Sequence, residues 1–351
     1  MTPRRYPLLL AQGGKRLKTE TGFDREEANM ILRFVTIASV AALAATPAAA
    51  QELVLKGASG FPEGTAYSTK FESFVKQVNE KGKGSIRIQY LGGAPKVMPT
   101  FDVGKNLKDG VVDIISNTGA YYTNVLPEGD ALKLIEAPMA ELRKNGGWAL
   151  INKVHNEKMN AYYLARVFNY DEFHIYLNKE IKTPDFSGLK IRVSPIYRAM
   201  VEKLGGTAVT STGPEVYTML ERNTVDGYGW PARGIFDFSW EKVTKYRIDP
   251  GFYNADIQLL VNLDTWNKKL NDQQRKLLTD LAVAIENDES DKAINEQERT
   301  RQAAAGIKSI RFSPADEKKY LQIARDAAWD VVLKTNPQYG PEMRKFFEKK
   351  N

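Results

Sequence analysis

The feature that most constrains the fold is a block at residues 188–231, in which three short apolar segments alternate with two segments of helical spacing. A strand–helix–strand–helix–strand order builds a parallel sheet, because each helix returns the chain to the starting end of the next strand. The first predicted strand, residues 189–193, contains one arginine, Arg192. A guanidinium stays charged when it is desolvated, so it must be paired with an anion. That anion is either a bound ligand or a neighbouring carboxylate.

The chain just after residue 50 has a similar order. Residues 52–57 and 85–91 are predicted strands, and residues 65–81 between them carry apolar side chains at helical spacing. Residues 111–116 form a third predicted buried strand. The sequence therefore predicts an α/β protein, and about 300 residues exceed one comfortable core, which favours two lobes.

A long helix is predicted from residue 271 or 272 to about residue 305, because no proline or glycine interrupts a helical pattern there. At 1.5 Å per residue such a helix would be roughly 50 Å long. We expect it to lie across both lobes and tie them together.

The N-terminus predicts export. Arg33 precedes an apolar stretch at residues 34–45, and residues 48–50 supply three small alanines before Gln51. This is the pattern of a signal peptide at residues 30–50, cleaved after Ala50, with residues 1–29 as a non-native extension before the real initiator. The alternative is a membrane anchor, but a span needs roughly 20 apolar residues.

Charge and composition exclude several functions. Without residues 1–50 the chain has 43 basic and 39 acidic residues, a net charge of +4 with no basic run, which does not favour nucleic-acid binding. The absence of cysteine excludes thiol catalysis, thiolate zinc sites and iron–sulfur clusters. We predict no cofactor and no metal.

Catalytic motifs are also missing. The two histidines, His155 and His174, belong to no metal-ligand pattern, and we expect His155 to be solvated and His174 to be packed on a strand. There is no nucleophile elbow, phosphate-binding loop or dinucleotide fingerprint. The sequence therefore predicts a binding protein and not an enzyme.

Aromatic residues cluster in the segments that follow predicted strands, where open α/β sheets bind ligands. The alternative for each one is a place in the core between helices. Together with Arg192, the residues we predict to bind ligand are Phe61, Asn117, Tyr121, Phe168, Tyr228, Trp230 and Tyr253.

Four motifs in the block carry a family resemblance: GLKIRV at 188–193, EVYTML at 215–220, VDG at 225–227 and the closing Pro231. Their order and spacing resemble those of the DctP-type periplasmic solute receptors of tripartite ATP-independent periplasmic (TRAP) transporters. Segments at 110–114 and 260–270 extend the resemblance over most of the chain.

The resemblance implies a two-lobed periplasmic binding protein fold with a hinged cleft. It implies lobes at residues 51–169 with 258–297 and at residues 170–257 with 298–351, and delivery of a small organic acid to a TRAP permease driven by an ion gradient. Arg192 matches the family's arginine that receives the substrate carboxylate in a bidentate pair. The alternative partner for Arg192 is an internal carboxylate such as Glu215.

One position departs from the resemblance. Many relatives carry a polar side chain, often asparagine, just before the closing proline, whereas this chain has Trp230. An indole offers area and one donor. We therefore expect a small or flat acid, such as a 2-oxo or aromatic monocarboxylate, and not a sugar acid. The alternatives that remain are a receptor for an ATP-driven importer, a ligand-sensing module and an exported enzyme.

Overall fold

The computed structural model describes residues 51–348, so the predicted extension and signal peptide lie outside the described residues. The described strands are β1 (Leu53–Ser59), β2 (Ile86–Gly93), β3 (Ile114–Thr118), β4 (Ala161–Arg166), β5 (Glu172–Leu177), β6 (Lys190–Val193), β7 (Thr207–Thr210), β8 (Gly227–Pro231), β9 (Tyr246–Asp249), β10 (Phe252–Asn254), β11 (Ile257–Asn262) and β12 (Lys308–Arg311). The α-helices are α1 (Thr69–Lys81), α2 (Val103–Lys108), α3 (Met139–Asn145), α4 (Gly147–Met159), α5 (Arg198–Lys203), α6 (Val216–Glu221), α7 (Asp272–Glu286), α8 (Ser290–Ala304), α9 (Pro314–Thr335) and α10 (Gly340–Phe347).

The first sheet has five strands in the order β2-β1-β3-β11-β4. Strands β1, β2 and β3 are parallel, and α1 connects β1 to β2, which confirms the predicted opening unit. Strand β11 comes from far along the chain and pairs antiparallel with both β3 and β4. The late strand therefore completes a sheet that the first part of the chain begins.

The second sheet has seven strands. Six lie in the order β12-β9-β5-β8-β6-β7, and β10 pairs with β5. The block at residues 188–231 forms β6, α5, β7, α6 and β8, with β6 parallel to both β7 and β8. The strand–helix–strand–helix–strand prediction is confirmed, and two packed α/β sheets agree with the predicted two-lobed fold.

The prediction of one uninterrupted long helix is wrong. The chain forms α7 and α8, separated at residues 287–289. Asp288 accepts hydrogen bonds from the backbone N–H of Ser290 at 2.9 Å and from its hydroxyl at 2.8 Å. An aspartate that bonds nearby backbone competes with continued helix, so the Asn-Asp-Glu-Ser run ends one helix and begins the next.

The prediction that His155 is solvated is also wrong. It is buried on α4, where its Nε2 lies 3.1 Å from the hydroxyl of Tyr122 and its Nδ1 2.8 Å from the carbonyl oxygen of Ile151. Burial lowers the pKa of His155 to about 4. Within residues 51–348, no helix is long and apolar enough to cross a membrane.

Candidate functional site

A small cavity lies between the two sheets, where segments that follow strands of both sheets meet. The first sheet contributes loops after β1 and β3 and the start of β11, and the second contributes β5, β8 and the segment after β6. The space between them is about 20 Å³, room for about one water molecule. Its walls are Phe61, Tyr67, Thr118, Ala120, Tyr121, Phe173, Ser194, Trp230, Pro231, Ala255 and Ile257.

The aromatic walls touch one another across the cavity. The ring of Phe61 lies 5.3 Å from that of Tyr121, and the ring of Tyr67 lies 6.0 Å from that of Trp230, measured between centroids. Tyr67 precedes α1 on the first sheet and Trp230 lies on β8 of the second, so the second contact joins the two halves. The Tyr67–Trp230 pair is edge-to-face, an arrangement that stabilises the contact between the two walls.

Arg192 lies behind Trp230, fully buried on β6. Its Nε donates to the carbonyl oxygen of Ser211 at 3.0 Å, and its Nη1 lies 3.3 Å from the Tyr197 hydroxyl and 3.4 Å from the Gly229 carbonyl. The guanidinium carbon is 5.6 Å from the centroid of the Trp230 ring. All of these partners are neutral.

No carboxylate in residues 51–348 pairs with Arg192. The candidate partner Glu215 instead accepts hydrogen bonds from the backbone N–H and hydroxyl of Thr212, both at 2.7 Å, at the start of α6. The internal ion pair with Glu215 is therefore absent from this structure. Burial raises the pKa of the cavity residue Tyr121 to about 12, and the nearby Arg192 charge offsets part of that rise.

Gly229 allows Tyr197 to pack beside Arg192. A Cβ there would stand 2.4 Å from a ring carbon of Tyr197, a distance that real contacts do not show. The bare backbone lets the Tyr197 ring lie against β8, and its hydroxyl donates to the Gly229 carbonyl oxygen at 2.6 Å. Glycine inside a strand marks such a close approach.

Trp230 presents an unused donor. The side chain lines the cavity, it is 5% exposed, and its indole Nε1 has no hydrogen-bond partner within the described chain. Buried indole N–H groups usually find a partner. A ligand that carries an acceptor oxygen would supply one.

A buried network joins the halves beside the cavity. The Tyr67 hydroxyl donates to Asp171 at 2.7 Å, and Arg233 forms an ion pair with Asp291 at 2.9 Å and approaches Asp171 at 3.7 Å. Lys70 on α1 also pairs with Asp291, at 2.7 Å. Burial raises the pKa of Asp171 to about 6, although Arg233 and Tyr67 favour its charged form.

A second buried carboxyl group, that of Asp256, lies next to the cavity wall. Asp256 accepts hydrogen bonds from the Gly119 backbone N–H at 2.9 Å, from the Thr118 hydroxyl at 3.2 Å and from the Gln258 amide at 2.6 Å. Burial raises the pKa of Asp256 to about 7 despite these bonds. The acid therefore titrates near neutral pH, one residue away from the cavity wall.

The structure brings some of the predicted residues together and separates others. Phe61, Tyr121 and Trp230 line the cavity, with Arg192 directly behind them. Phe168 packs behind Tyr67, with ring centroids 5.1 Å apart.

Three predicted residues lie away from the cavity. Tyr228 stacks on Tyr176, and Asn117 is buried within β3. Tyr253 lines a different cavity.

Tyr67 and Phe173 belong to the aromatic residues that follow predicted strands, although they are not among the predicted ligand-binding residues. Sequence reasoning left out other residues of the site, namely Thr118, Asp171, Ser194, Tyr197, Gly229 and Asp256. Among these, Gly229 carries a signal, since a glycine flanked by aromatic residues inside a predicted strand indicates close packing. Among residues 51–348, no group of three or more histidine, aspartate or glutamate side chains is arranged to hold a metal ion.

A two-sheet α/β protein with a cavity between its sheets and a buried arginine beside it has the form of a solute-binding protein. Residues 58–334 match the family of bacterial extracellular solute-binding proteins, family 7 (DctP). The chain belongs to this family, which confirms the DctP-type resemblance.

Known relatives agree with this assignment. A monocarboxylate 2-oxoacid-binding periplasmic protein of Nostoc sp. is 24% identical over 277 residues, which make up 74% of this chain and 73% of that protein. A TRAP periplasmic solute-binding protein of Desulfovibrio salexigens, solved with orotic acid, has a TM-score of 0.74 at 18% identity over 84% of this chain and 97% of its own. A Bordetella pertussis extracytoplasmic solute receptor that binds pyroglutamic acid has a TM-score of 0.74 at 17% identity, over 85% and 100% of the two chains.

Proposed function

We propose that this receptor binds a small monocarboxylate, with 2-oxo acids as the leading class, in the cavity between the sheets. The observation that carries the proposal is the buried Arg192 guanidinium, which is held by neutral oxygens and meets no carboxylate of the described chain. A ligand carboxylate would supply the missing charge.

The cavity walls support a small, flat ligand. Phe61, Tyr67, Tyr121 and Trp230 supply apolar faces, and the free Trp230 indole N–H can donate to a keto or carboxylate oxygen. The relative from Nostoc is named as a binder of monocarboxylate 2-oxo acids. A polyhydroxylated sugar acid would leave most of its hydroxyl groups without partners on such walls.

Ligand entry requires the two halves to separate. Ligand pockets usually enclose about 300–1,000 Å³, whereas the walls here leave about 20 Å³. We infer that the structure represents a closed arrangement and that a ligand stabilises closure through contacts that only the closed state offers.

The lobe boundaries belong to the same proposal. We take the two sheets as the cores of the lobes, residues 51–169 with 258–297 and residues 170–257 with 298–351. Asn295 of α8 accepts a hydrogen bond from Arg233 just after β8, and Gln302 of α8 bonds to Tyr176 of β5. Because α8 thus belongs with the second sheet, the break at residues 287–289 is a better boundary than residue 297.

Delivery of the ligand completes the proposed role. The mature receptor would begin at Gln51 in the periplasm, after cleavage behind Ala50, and would pass its ligand to a TRAP permease. The family's extracellular solute-binding character supports this role.

Binding can be tested by calorimetric titration of purified protein with pyruvate, phenylpyruvate, orotate and a sugar acid. We expect a 2-oxo acid to bind and Arg192→Ala to lose most of that binding, since the carboxylate loses its cation. Arg222→Ala is the matched control, because Arg222 is an exposed arginine of the same block. Tight binding of the sugar acid alone, or unchanged affinity in Arg192→Ala, would refute the proposal.

A further inference from the structure

Another cavity lies near the segments that connect one sheet to the other. These three connections are residues 167–171 between β4 and β5, residues 255–256 between β10 and β11, and residues 287–289 between α7 and α8. Residues of the first and third connections, together with Asn254 at the end of β10, border one cavity of about 290 Å³, which we call the hinge cavity. Its walls are residues 135–140 together with Arg166, Asn169, Tyr170, Asn254, Glu286, Asn287 and Glu289.

Arg166 is a charged group of this cavity with unpaired hydrogen-bond donors within the described chain. It ends β4, is 5% exposed, and makes a single side-chain hydrogen bond, from Nη2 to the Asn169 side-chain oxygen at 3.2 Å. Its Nε and Nη1 are enclosed and have no partner within residues 51–348. Because guanidinium is a permanent cation with five donors, this arrangement is costly unless an anion joins it.

The carboxylates around the cavity are bound elsewhere. Glu286 accepts two hydrogen bonds from Arg143, at 2.5 and 3.1 Å, and one from the Arg166 backbone N–H at 3.0 Å. Glu136 pairs with Arg325 at 2.8 Å, and Glu289 is exposed to solvent. No described carboxylate lies within ion-pair distance of the Arg166 guanidinium.

The strand positions beside Arg166 are polar as well. Gln258 on β11 is in register with both Arg166 on β4 and Asn117 on β3, so the three side chains lie in a row on one face of the first sheet. The Gln258 oxygen Oε1 and the Asn117 nitrogen Nδ2 have no partner in the described chain. Of this row only Arg166 lines the hinge cavity, and the unsatisfied polar atoms beside it on the sheet supply no charge that could pair with the guanidinium.

We propose that the hinge cavity binds a small anion, a carboxylate or inorganic oxyanion, at Arg166. The site is separate from the Arg192 cavity and does not depend on the ligand proposed for it. Because two of the connections border the hinge cavity, its shape changes as the lobes open and close. An anion there therefore binds the two states unequally and alters the affinity of the main site.

Crystals of the purified receptor soaked in sodium bromide test the site directly, since bromide is a small anion that anomalous scattering locates. We expect a bromide peak within about 3.5 Å of Arg166 Nε or Nη1, and none in crystals of Arg166→Gln. A water bridging Arg166 to the Gln258 oxygen, in place of bromide, would overturn the proposal. So would a direct ion pair between Arg166 and Glu286.

Solution titration separates this site from the main one. In an Arg192→Ala background, inorganic phosphate should raise the melting temperature by mass action, and adding Arg166→Gln should remove that rise. In the receptor with Arg192 intact, saturating phosphate should change the affinity for the main ligand by about fivefold or more. Equal phosphate stabilisation with and without Arg166 would refute the hinge site and leave the Arg192 proposal untouched.

Discussion

At the scale of single residues, the proposed site gives Arg192 and Trp230 different roles in recognition. Arg192 offers a buried charge without a carboxylate partner in the described chain, and Trp230 offers an apolar face with one free donor. In this proposal the Arg192 charge selects carboxylates as the class of ligand. The Trp230 ring, which lines the cavity, selects by shape within that class.

Replacing Trp230 should therefore change selectivity more than overall binding. We expect Trp230→Ala to weaken phenylpyruvate by about tenfold or more and pyruvate much less, because only the larger acid uses the ring face. Titration of both acids measures this difference. Trp148→Ala is the control, since Trp148 packs on Tyr162 away from the cavity. Equal losses for both acids would contradict a role in selectivity.

Asp256 gives a pH dependence whose sign follows from its environment. Its pKa is raised to about 7 in the folded state and is about 4 in an unfolded chain. Between these values the folded state keeps a proton that the unfolded state releases, so the contribution to stability is full below about pH 4 and is lost as the pH rises to about 7.

The variant Asp256→Asn removes this titration. We expect its free energy of unfolding to decrease less between pH 4 and 7 than that of the native protein. The difference between the two decreases should be on the order of a few kcal/mol. Urea unfolding at several pH values measures the two slopes. Parallel slopes would show that Asp256 is ionised throughout the window.

At the scale of elements, the sequence of β8 is constrained by the Tyr197 ring that packs against it. The Gly229 backbone accepts the Tyr197 hydroxyl, and Tyr197 in turn lies beside Arg192. The strand β8 therefore positions the Arg192 guanidinium through Tyr197, and no local sequence pattern links Tyr197 to Gly229.

The variant Gly229→Ala should destabilise the protein by about 1–3 kcal/mol and weaken ligand binding, because its Cβ would displace the Tyr197 ring. A double-mutant cycle with Tyr197→Ala checks the cause, using urea unfolding. If the clash is responsible, the double variant is less destabilised than the two single variants predict together. Simple additivity would indicate another cause.

The break between α7 and α8 includes a local bond from the Ser290 backbone to the Asp288 side chain, two residues earlier. We expect Asp288→Ala to cost about 1 kcal/mol of stability, because Ser290 loses its hydrogen bonds to that carboxylate. Asp280→Ala is the matched control, since Asp280 is an exposed aspartate of α7 paired with Lys276, and such a pair contributes only about 0.2–0.5 kcal/mol. Thermal unfolding measures the stability lost by each variant. Equal losses would show that the Asp288–Ser290 bond has no special effect.

At the scale of the whole molecule, contacts join the two halves outside the cavity as well. The backbone N–H of Ala66 bonds to Asp237 at 2.7 Å, and Tyr67 and Lys70 reach Asp171 and Asp291. In the proposed hinged mechanism these bonds stabilise the closed arrangement with or without ligand.

Small-angle scattering can follow closure in solution. We expect the radius of gyration to decrease when a 2-oxo acid is added to the native receptor and to stay constant for Arg192→Ala. The variant Tyr67→Phe, which loses the bond to Asp171, should need more ligand for the same decrease. A radius that is independent of ligand in the native receptor would contradict the hinged mechanism.

The local elements and the family follow from the sequence. Apolar periodicity predicts the βαβ opening and the block around Arg192, because strand and helix spacing are properties of neighbouring residues. The same block points to Arg192, since a lone charge in an apolar strand has few physical explanations. The prediction of an unbroken helix is wrong, because the bond from the Ser290 backbone to the Asp288 side chain interrupts a stretch of good helical composition.

Contacts between distant residues follow from the tertiary structure alone. Tyr67 and Trp230 are separated by more than 160 residues in the chain and by 6.0 Å between rings. Asp256 bonds to Thr118 and Gly119 because β11 pairs with β3. The hinge cavity is bordered by two connections that are distant in the sequence. The alternation of apolar residues favours one register once two strands pair, but local periodicity does not specify which distant strands pair, so the sheet order follows only from the packing of the whole chain.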